Sequence, residues 1–231
     1  MQLNVLGAGA SKGIVQAVQE QFLAATGAQV RGVFGAVSAI RERLDSGETC
    51  DVIILAASML HELQSQERLL AGTTAALGHV ATGIAVRAGK ALPRIDENEQ
   101  LAARLKQADA IFFPDPLRAT AGIHFVGVLK KLGIYADIEA RLRPFPNGAV
   151  AMAELARSTD ANAIGCTQVT EILYSKGVSL AGVLPKGFEL STLYAAAVSR
   201  DASDPDLARR FIALLTGVAT VTLREHGGFI V

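Results

Sequence analysis

Five places in this 231-residue chain share one form, in which an apolar strand ends, a small or polar residue follows and a helix begins. They are Ala8-Gly9-Ala10-Ser11, Gly35-Ala36-Val37-Ser38, Arg118-Ala119-Thr120-Ala121-Gly122, Pro146-Asn147-Gly148 and Cys166-Thr167-Gln168. The first N–H groups of a helix have no intrahelical partner, and the helix dipole adds positive potential there, so such starts suit anions. Small residues let an anion approach the backbone, and Ser or Thr adds a hydroxyl donor. The same residues are ordinary N-caps, so the set points to a ligand only if the fold brings its members together. Lys12 and Arg118 stand in two of these loops. Either could meet a small organic acid, and Arg pairs with a carboxylate through two parallel hydrogen bonds.

A second chemistry would use Asp115, His124 and Cys166. Asp115 and His124 flank one loop, and Cys166 ends a strand. A thiol beside an imidazole and a helix start can be activated as a nucleophile, with His124 as acid/base oriented by Asp115. The competing readings are a buried strand cysteine and a packed or capping histidine. His61-Glu62 lacks the second His of a helical zinc motif. Gly7-Ala8-Gly9-Ala10-Ser11-Lys12-Gly13 resembles a dinucleotide fingerprint, but Lys12 stands where its third Gly belongs, and no acidic residue ends the next strand near Phe34. No metal or cofactor is expected.

The elements that must position these residues alternate between strand and helix. Leu3–Leu6 reads as a strand, followed by a helix with Ile14, Val18, Phe22 and Ala25 on one face and Gly27 as its stop. A strand over 28–34 follows, then a short helix behind Ser38, and a continuous apolar strand over 51–56, as in a sheet covered on both faces. Ser58 can cap the next helix. A second set begins near Gly83, with helices over 96–107, 121–132 and 148–157 and strands over 109–113 and 162–166. Ser191–Val198 reads as a further strand. Asp204-Pro205 opens a helix running to about Leu215, and a last helix ends near His226. Alternating elements argue for doubly wound α/β sheets, which bind ligands beyond the carboxyl ends of their strands.

Lys plus Arg is 22 and Asp plus Glu is 22, with no Trp and 5% aromatics. A neutral chain poor in rings lacks the basic footprint and stacking surface of nucleic-acid binding. Half of the residues are hydrophobic, which excludes disorder, and no apolar run reaches membrane-spanning length. Two Cys make no disulfide framework.

The order of several short pieces resembles the molybdate-binding-protein type of bacterial solute-binding protein, a type II periplasmic binding fold. The pieces are Leu3–Ser11, Phe34–Ser38, Gly47–Ile54, Gly83–Gly89, Asp115-Pro116 with Ala121-Gly122-Ile123, Leu129–Gly133 and Gly165–Gln168. The resemblance implies two doubly wound α/β lobes with a ligand cleft between them, and an anion held by hydroxyl and N–H groups of the loops. Carried over, those positions are Ser11, Ser38, Ala121, Pro146 or Asn147, and Gln168. Molybdate binders often have Tyr where Gln168 stands, their second loop is richer in Ser, and Pro146 has no N–H.

The expectations follow. Lobe one spans 1–81 plus 190–231 and lobe two 82–189, with crossings near 81–83 and 187–191. A small anion, either an oxyanion such as molybdate or an organic carboxylate, binds at Ser11, Lys12, Ser38, Arg118, Thr120, Ala121, Asn147 and Gln168. The partners are this ligand and, for an exported copy, the membrane subunits of an ABC transporter. A chain starting at Met1 reads as cytoplasmic, and as periplasmic if a leader was removed. The alternative is a cytoplasmic hydrolase, lactonase-like, or an isomerase of a small carboxylate using His124, Asp115 and Cys166.

Overall fold

The computed structural model describes residues 1–231. The chain forms two compact units, Met1–Val80 with Thr192–Val231, and Ala81–Ser191.

The elements of the first unit begin with β1 (Gln2–Ala8), α1 (Lys12–Thr26), β2 (Gln29–Gly35), α2 (Val37–Asp45), β3 (Val52–Ala56) and α3 (Ala57–Ser65). The strand β4 (Ala75–Arg87) then carries the chain into the second unit. There follow α4 (Asn98–Gln107), β5 (Ile111–Pro114), α5 (Thr120–Lys131), α6 (Tyr135–Ile138), β6 (Leu142–Phe145), α7 (Gly148–Arg157), β7 (Ile164–Gln168), α8 (Val169–Tyr174) and β8 (Val178–Val183). The strand β9 (Ser191–Val198) returns to the first unit, which ends with α9 (Pro205–Thr216) and α10 (Val221–His226).

In the first unit β1 pairs in parallel with β2 and β3, and β9 pairs antiparallel with β3. In the second, β5 pairs in parallel with β6 and β7, while β4 runs antiparallel to both β7 and β8. The sheets are therefore mixed, not wholly parallel. The strands that run against the others are β9 in the first unit and β4 in the second, the two that carry the chain between the units.

Period-two alternation puts apolar residues on both faces of the second unit's sheet. Ile84, Val86, Phe113 and Cys166 face the core made by Leu101 and Leu105 of α4 and Phe125 and Leu129 of α5. Ala85 and Phe112 face Met152 and Leu155 of α7 and Ile172 of α8. In the first unit α1 buries Ile14, Val15, Val18 and Phe22. The Phe22 ring meets Phe211 of α9 edge-on at 4.9 Å. Asp204 caps α9 by accepting from the Leu207 N–H at 2.9 Å, with Pro205 in the first turn as its sequence predicts.

Asp51, 2% exposed, holds this unit together at the entrance of β3. One carboxylate oxygen accepts from the Asn4 N–H at 2.7 Å, and the other accepts from the N–H and hydroxyl of Ser203, each at 2.8 Å. The carboxylate thus ties β1 to the segment after β9.

Two helix caps differ from the reading of the sequence. Ser38 is the second residue of α2, with Ala36 at the cap, and Ser58 is the second residue of α3, with Ala56 at the cap. In both places the turn is made by small residues without a capping side chain.

Candidate functional site

The carboxyl ends of the parallel strands decide where the five loops stand. Ala8 and Gly35 are register partners, so the chain leaves β1 and β2 side by side into α1 and α2. In the second unit Pro114 pairs with Phe145, and β7 runs parallel to β5, so the loops after β5, β6 and β7 leave one edge. Each unit therefore gathers its own candidates on one edge, where open α/β sheets place ligands.

In the first unit the β1 loop forms a 3-10 turn, Gly9–Ser11, that runs into α1. Ser11 is fully buried, and its hydroxyl donates to the Ala8 carbonyl at 2.8 Å, closing the turn. Lys12, the first residue of α1, is half-buried. The start of α2 has no side-chain cap, and the half-buried Ser38 lies in its first turn. The N–H groups there and the Ser38 hydroxyl are the donors this edge offers.

In the second unit Asp115 shapes the loop before α5. Its Oδ1 accepts from the N–H of Leu117 at 2.7 Å and of Arg118 at 3.2 Å. This Asx turn delivers Ala119 as a cap residue without a side-chain bond, followed by Thr120 and Ala121 in the first helical turn. Thr120 is half-buried, Ala121 buried and Arg118 exposed. Gly122 makes the placement possible. A Cβ there would lie 2.2 Å from the Pro114 carbonyl oxygen and 2.4 Å from that of Asp115, so α5 begins hard against the end of β5.

The start of α7 is a different case. Asn147 caps it, its side chain accepting from the Val150 N–H at 3.0 Å. Against Gly148 lies the carboxyl group of Glu171, a residue the sequence reading did not single out. Glu171 is buried in α8 and accepts from the Thr167 hydroxyl at 2.6 Å. Burial pushes its pKa up, against the Thr167 hydrogen bond and the backbone of Ala149, Gln168 and Gly148, which pull it down. The signal in the sequence was an acid in the first turn of a helix, four residues after a Thr.

This shift gives a pH expectation. A carboxyl whose folded pKa lies above its unfolded value adds stability that is fully present below the unfolded value, about 4.3. That stability is lost as pH rises through the folded pKa. Glu171→Gln removes this contribution, so unfolding free energy against pH is flatter on the alkaline side of pH 4 in the variant than in the parent. Matching slopes in urea titrations would contradict the assignment.

The structure gives the three candidate catalytic groups separate partners. Cys166 is fully buried among Ile84, Phe113 and Phe125, and burial pushes its thiol pKa up. A thiol so placed stays neutral and is a poor nucleophile. His124 Nε2 lies 2.8 Å from the Phe188 carbonyl, which calls for the Nε2–H tautomer and fixes the ring to the end of the second unit. The Asp115 Oδ1 is engaged by its own loop. Native protein is therefore expected to leave Cys166 unmodified by iodoacetamide and to expose it only on denaturation, as read by mass spectrometry. Cys50, whose thiol burial pushes up to about 12, is expected to behave alike.

Gln168 is buried at the end of β7, and its register partner is Thr82 of β4. The hydroxyls of Thr82 and Thr170 are buried without a hydrogen-bond partner, and the sequence reading passed over both.

The sequence pattern of the bacterial extracellular solute-binding protein family matches residues 3–230. Among curated proteins, an aconitate isomerase from a Pseudomonas species is 24% identical over 98% of this chain and 86% of its own length. The periplasmic molybdate-binding protein of Azotobacter vinelandii has the same fold, with a TM-score of 0.80, 18% identity and 99% of both chains covered. The sulfate-binding protein of Mycobacterium tuberculosis superposes with a TM-score of 0.75 at 14% identity, covering 99% of this chain and 86% of that one. No helix is long and apolar enough to cross a membrane.

Proposed function

We propose that this chain, which belongs to the family of bacterial extracellular solute-binding proteins, captures a small anion reversibly and performs no chemistry on it. The supporting observation is local. The candidate loops leave the carboxyl edges of the two parallel ladders, and the starts of α2 and α5 carry no capping side chain. The ligand takes the place of the missing caps. In the second unit the Thr120 hydroxyl and the N–H of Ala121 donate to it, with Gln168 at the end of β7 as a further polar contact, and in the first unit the Ser38 hydroxyl is the donor on offer. Ser11 and Asn147 hold the turns of α1 and α7, each within its own unit.

The cations favour a carboxylate over a bare oxyanion. Lys12 and Arg118 stand at the same loops, and a guanidinium matches the two oxygens of a carboxylate. The aconitate isomerase relative points towards the same ligand class. An exported copy works in the periplasm and hands its ligand to the membrane subunits of an ABC transporter, as solute-binding proteins of this fold do.

A second reading is favoured by one specific observation, the aconitate isomerase likeness along almost the whole chain. On that reading the same edge would hold an unsaturated carboxylate while its geometry changes. One experiment separates the two. The protein is screened by thermal shift against molybdate, tungstate, sulfate and a series of mono-, di- and tricarboxylates, and then incubated with cis- and trans-aconitate under proton NMR. Binding of a carboxylate with unchanged spectra supports capture. Interconversion of the two aconitates contradicts it and establishes the isomerase.

A further inference from the structure

A buried hydroxyl without a hydrogen-bond partner is costly, and folded proteins keep few of them. Thr82 of β4, in the second unit, is 1% exposed, and its hydroxyl has no partner. Its backbone is satisfied. The N–H donates to the Leu190 carbonyl at 3.0 Å, and the carbonyl accepts from the Leu184 N–H at 3.1 Å. The orphan is therefore the side chain alone, and packing does not ask for it. The residues before and after it on the same face of β4, Val80 and Ile84, are apolar, β-branched and fully buried. A valine at position 82 would have the shape of threonine and suit a strand as well.

The register places this hydroxyl. Thr82 pairs with Gln168 and Ile84 with Cys166, so these four side chains stand on one face of the sheet. Ile84 and Cys166 belong to the core that holds Phe125 of α5. From Ile84 back to Thr82 the strand advances about 6.6 Å towards the carboxyl edge of β7. From Phe125 back to Ala121 the helix advances about 6 Å towards the same edge. It does so because α5 starts hard against the end of β5, which is parallel to β7. Thr82, Gln168 and the first turn of α5 therefore stand at one level, on the edge where the loops of this unit gather.

We propose that Thr82 is a ligand-contact residue whose hydroxyl donates to an oxygen of the bound anion, beside Gln168 and the N–H of Ala121. This rests on the anion-binding reading above and adds to it a donor supplied by a strand. The oxygens of a carboxylate or an oxyanion accept and do not donate, so the hydroxyl acts as the donor. A solvated hydroxyl exchanges one partner for another when a ligand arrives, but a buried orphan gains one. The cost of the unpaired hydroxyl is thus carried by the unliganded protein and relieved on binding.

The test uses the full chain with Thr82→Val, which keeps the shape and removes the hydroxyl, beside Thr82→Ser, which keeps the hydroxyl. Thermal unfolding is measured without ligand, and calorimetry follows molybdate, sulfate, acetate, succinate, citrate and cis-aconitate. Without ligand, Thr82→Val is expected to unfold at the parent's temperature or above it. It is expected to bind the parent's ligand about tenfold more weakly or worse, the scale of one hydrogen bond to a charged group. Thr82→Ser is expected to bind within about threefold of the parent. A hydroxyl held by a buried water would give the reverse pattern, with stability lost and affinity kept. The proposal is overturned if Thr82→Val binds within about threefold of the parent, if it unfolds several degrees below the parent or fails to fold, or if Thr82→Ser loses as much affinity as Thr82→Val. Failure of the broader reading looks different, because the parent itself then binds none of these anions, and the role of Thr82 falls with it.

Discussion

Asp51→Ala is expected to lower the unfolding free energy by about 1.5–3 kcal/mol, the loss typical of removing hydrogen bonds to a buried charged group. The carboxylate is 2% exposed and satisfies the Asn4 N–H and both donors of Ser203. Removing it leaves the N–H groups of Asn4 and Ser203 without this acceptor and frees the segment that follows β9. Urea unfolding followed by circular dichroism reads the effect. The conservative Asp51→Asn retains one acceptor and is expected to lose less. A change below about 1 kcal/mol in the Ala variant would mean that the network does not carry the closure of this unit.

The second large effect is at Gly122. Its missing side chain lets the first turn of α5 rest on the carbonyls of Pro114 and Asp115, both backbone atoms that cannot swing aside. Gly122→Ala must displace the helix start, at a cost of about 1–3 kcal/mol in stability. The N–H of Ala121 and the hydroxyl of Thr120 move with it. Donors aimed at an anion lose most of their strength when misplaced by about 1 Å, so affinity for the bound anion is expected to fall by about 100-fold. Ala119→Gly, on the cap residue itself, leaves the helix seat open and is the control for a general effect of substitution in this loop. Anion affinity in Gly122→Ala within threefold of the parent would remove α5 from the binding site.

Local patterns made much of this fold legible. Ile14, Val18 and Phe22 recur at helical spacing and are buried in α1, and Asp204-Pro205 opens α9 where cap chemistry places it. The continuous apolar run of β3 is buried from Val52 to Leu55. The unread strands had weaker signatures. β6 has the sequence Leu-Arg-Pro-Phe, largely exposed and with a proline in its middle, and β8 is half-buried along most of its length. Such strands are specified by the neighbour that pairs with them more than by their own residues. β4 extends eight residues before the Gly83 at which it was read, through a stretch rich in Ala and Gly.

The candidate site was legible as a set of loops and much less as a set of contacts. Cap-forming residues are visible in a sequence, but whether a cap is empty depends on what the fold lays against it. Asn147 and Ser11 fill their turns with their own side chains, while Ser38 and Thr120 stand in helix starts without a side-chain cap. Glu171 was invisible for the same reason, because its importance lies in reaching the start of a helix twenty-three residues upstream. His124 and Cys166 show the converse. Their types invite chemistry, but one is bound to the Phe188 carbonyl and the other is sealed in the core.

Isothermal titration of the purified protein with small carboxylates and oxyanions, with the ligand recovered afterwards and compared by NMR, tests the central claim most directly. The account predicts saturable binding of at least one small carboxylate, weakened at least tenfold by Thr120→Ala, and a ligand recovered unchanged. Absence of binding across the panel, or a recovered ligand converted to another compound, would contradict it.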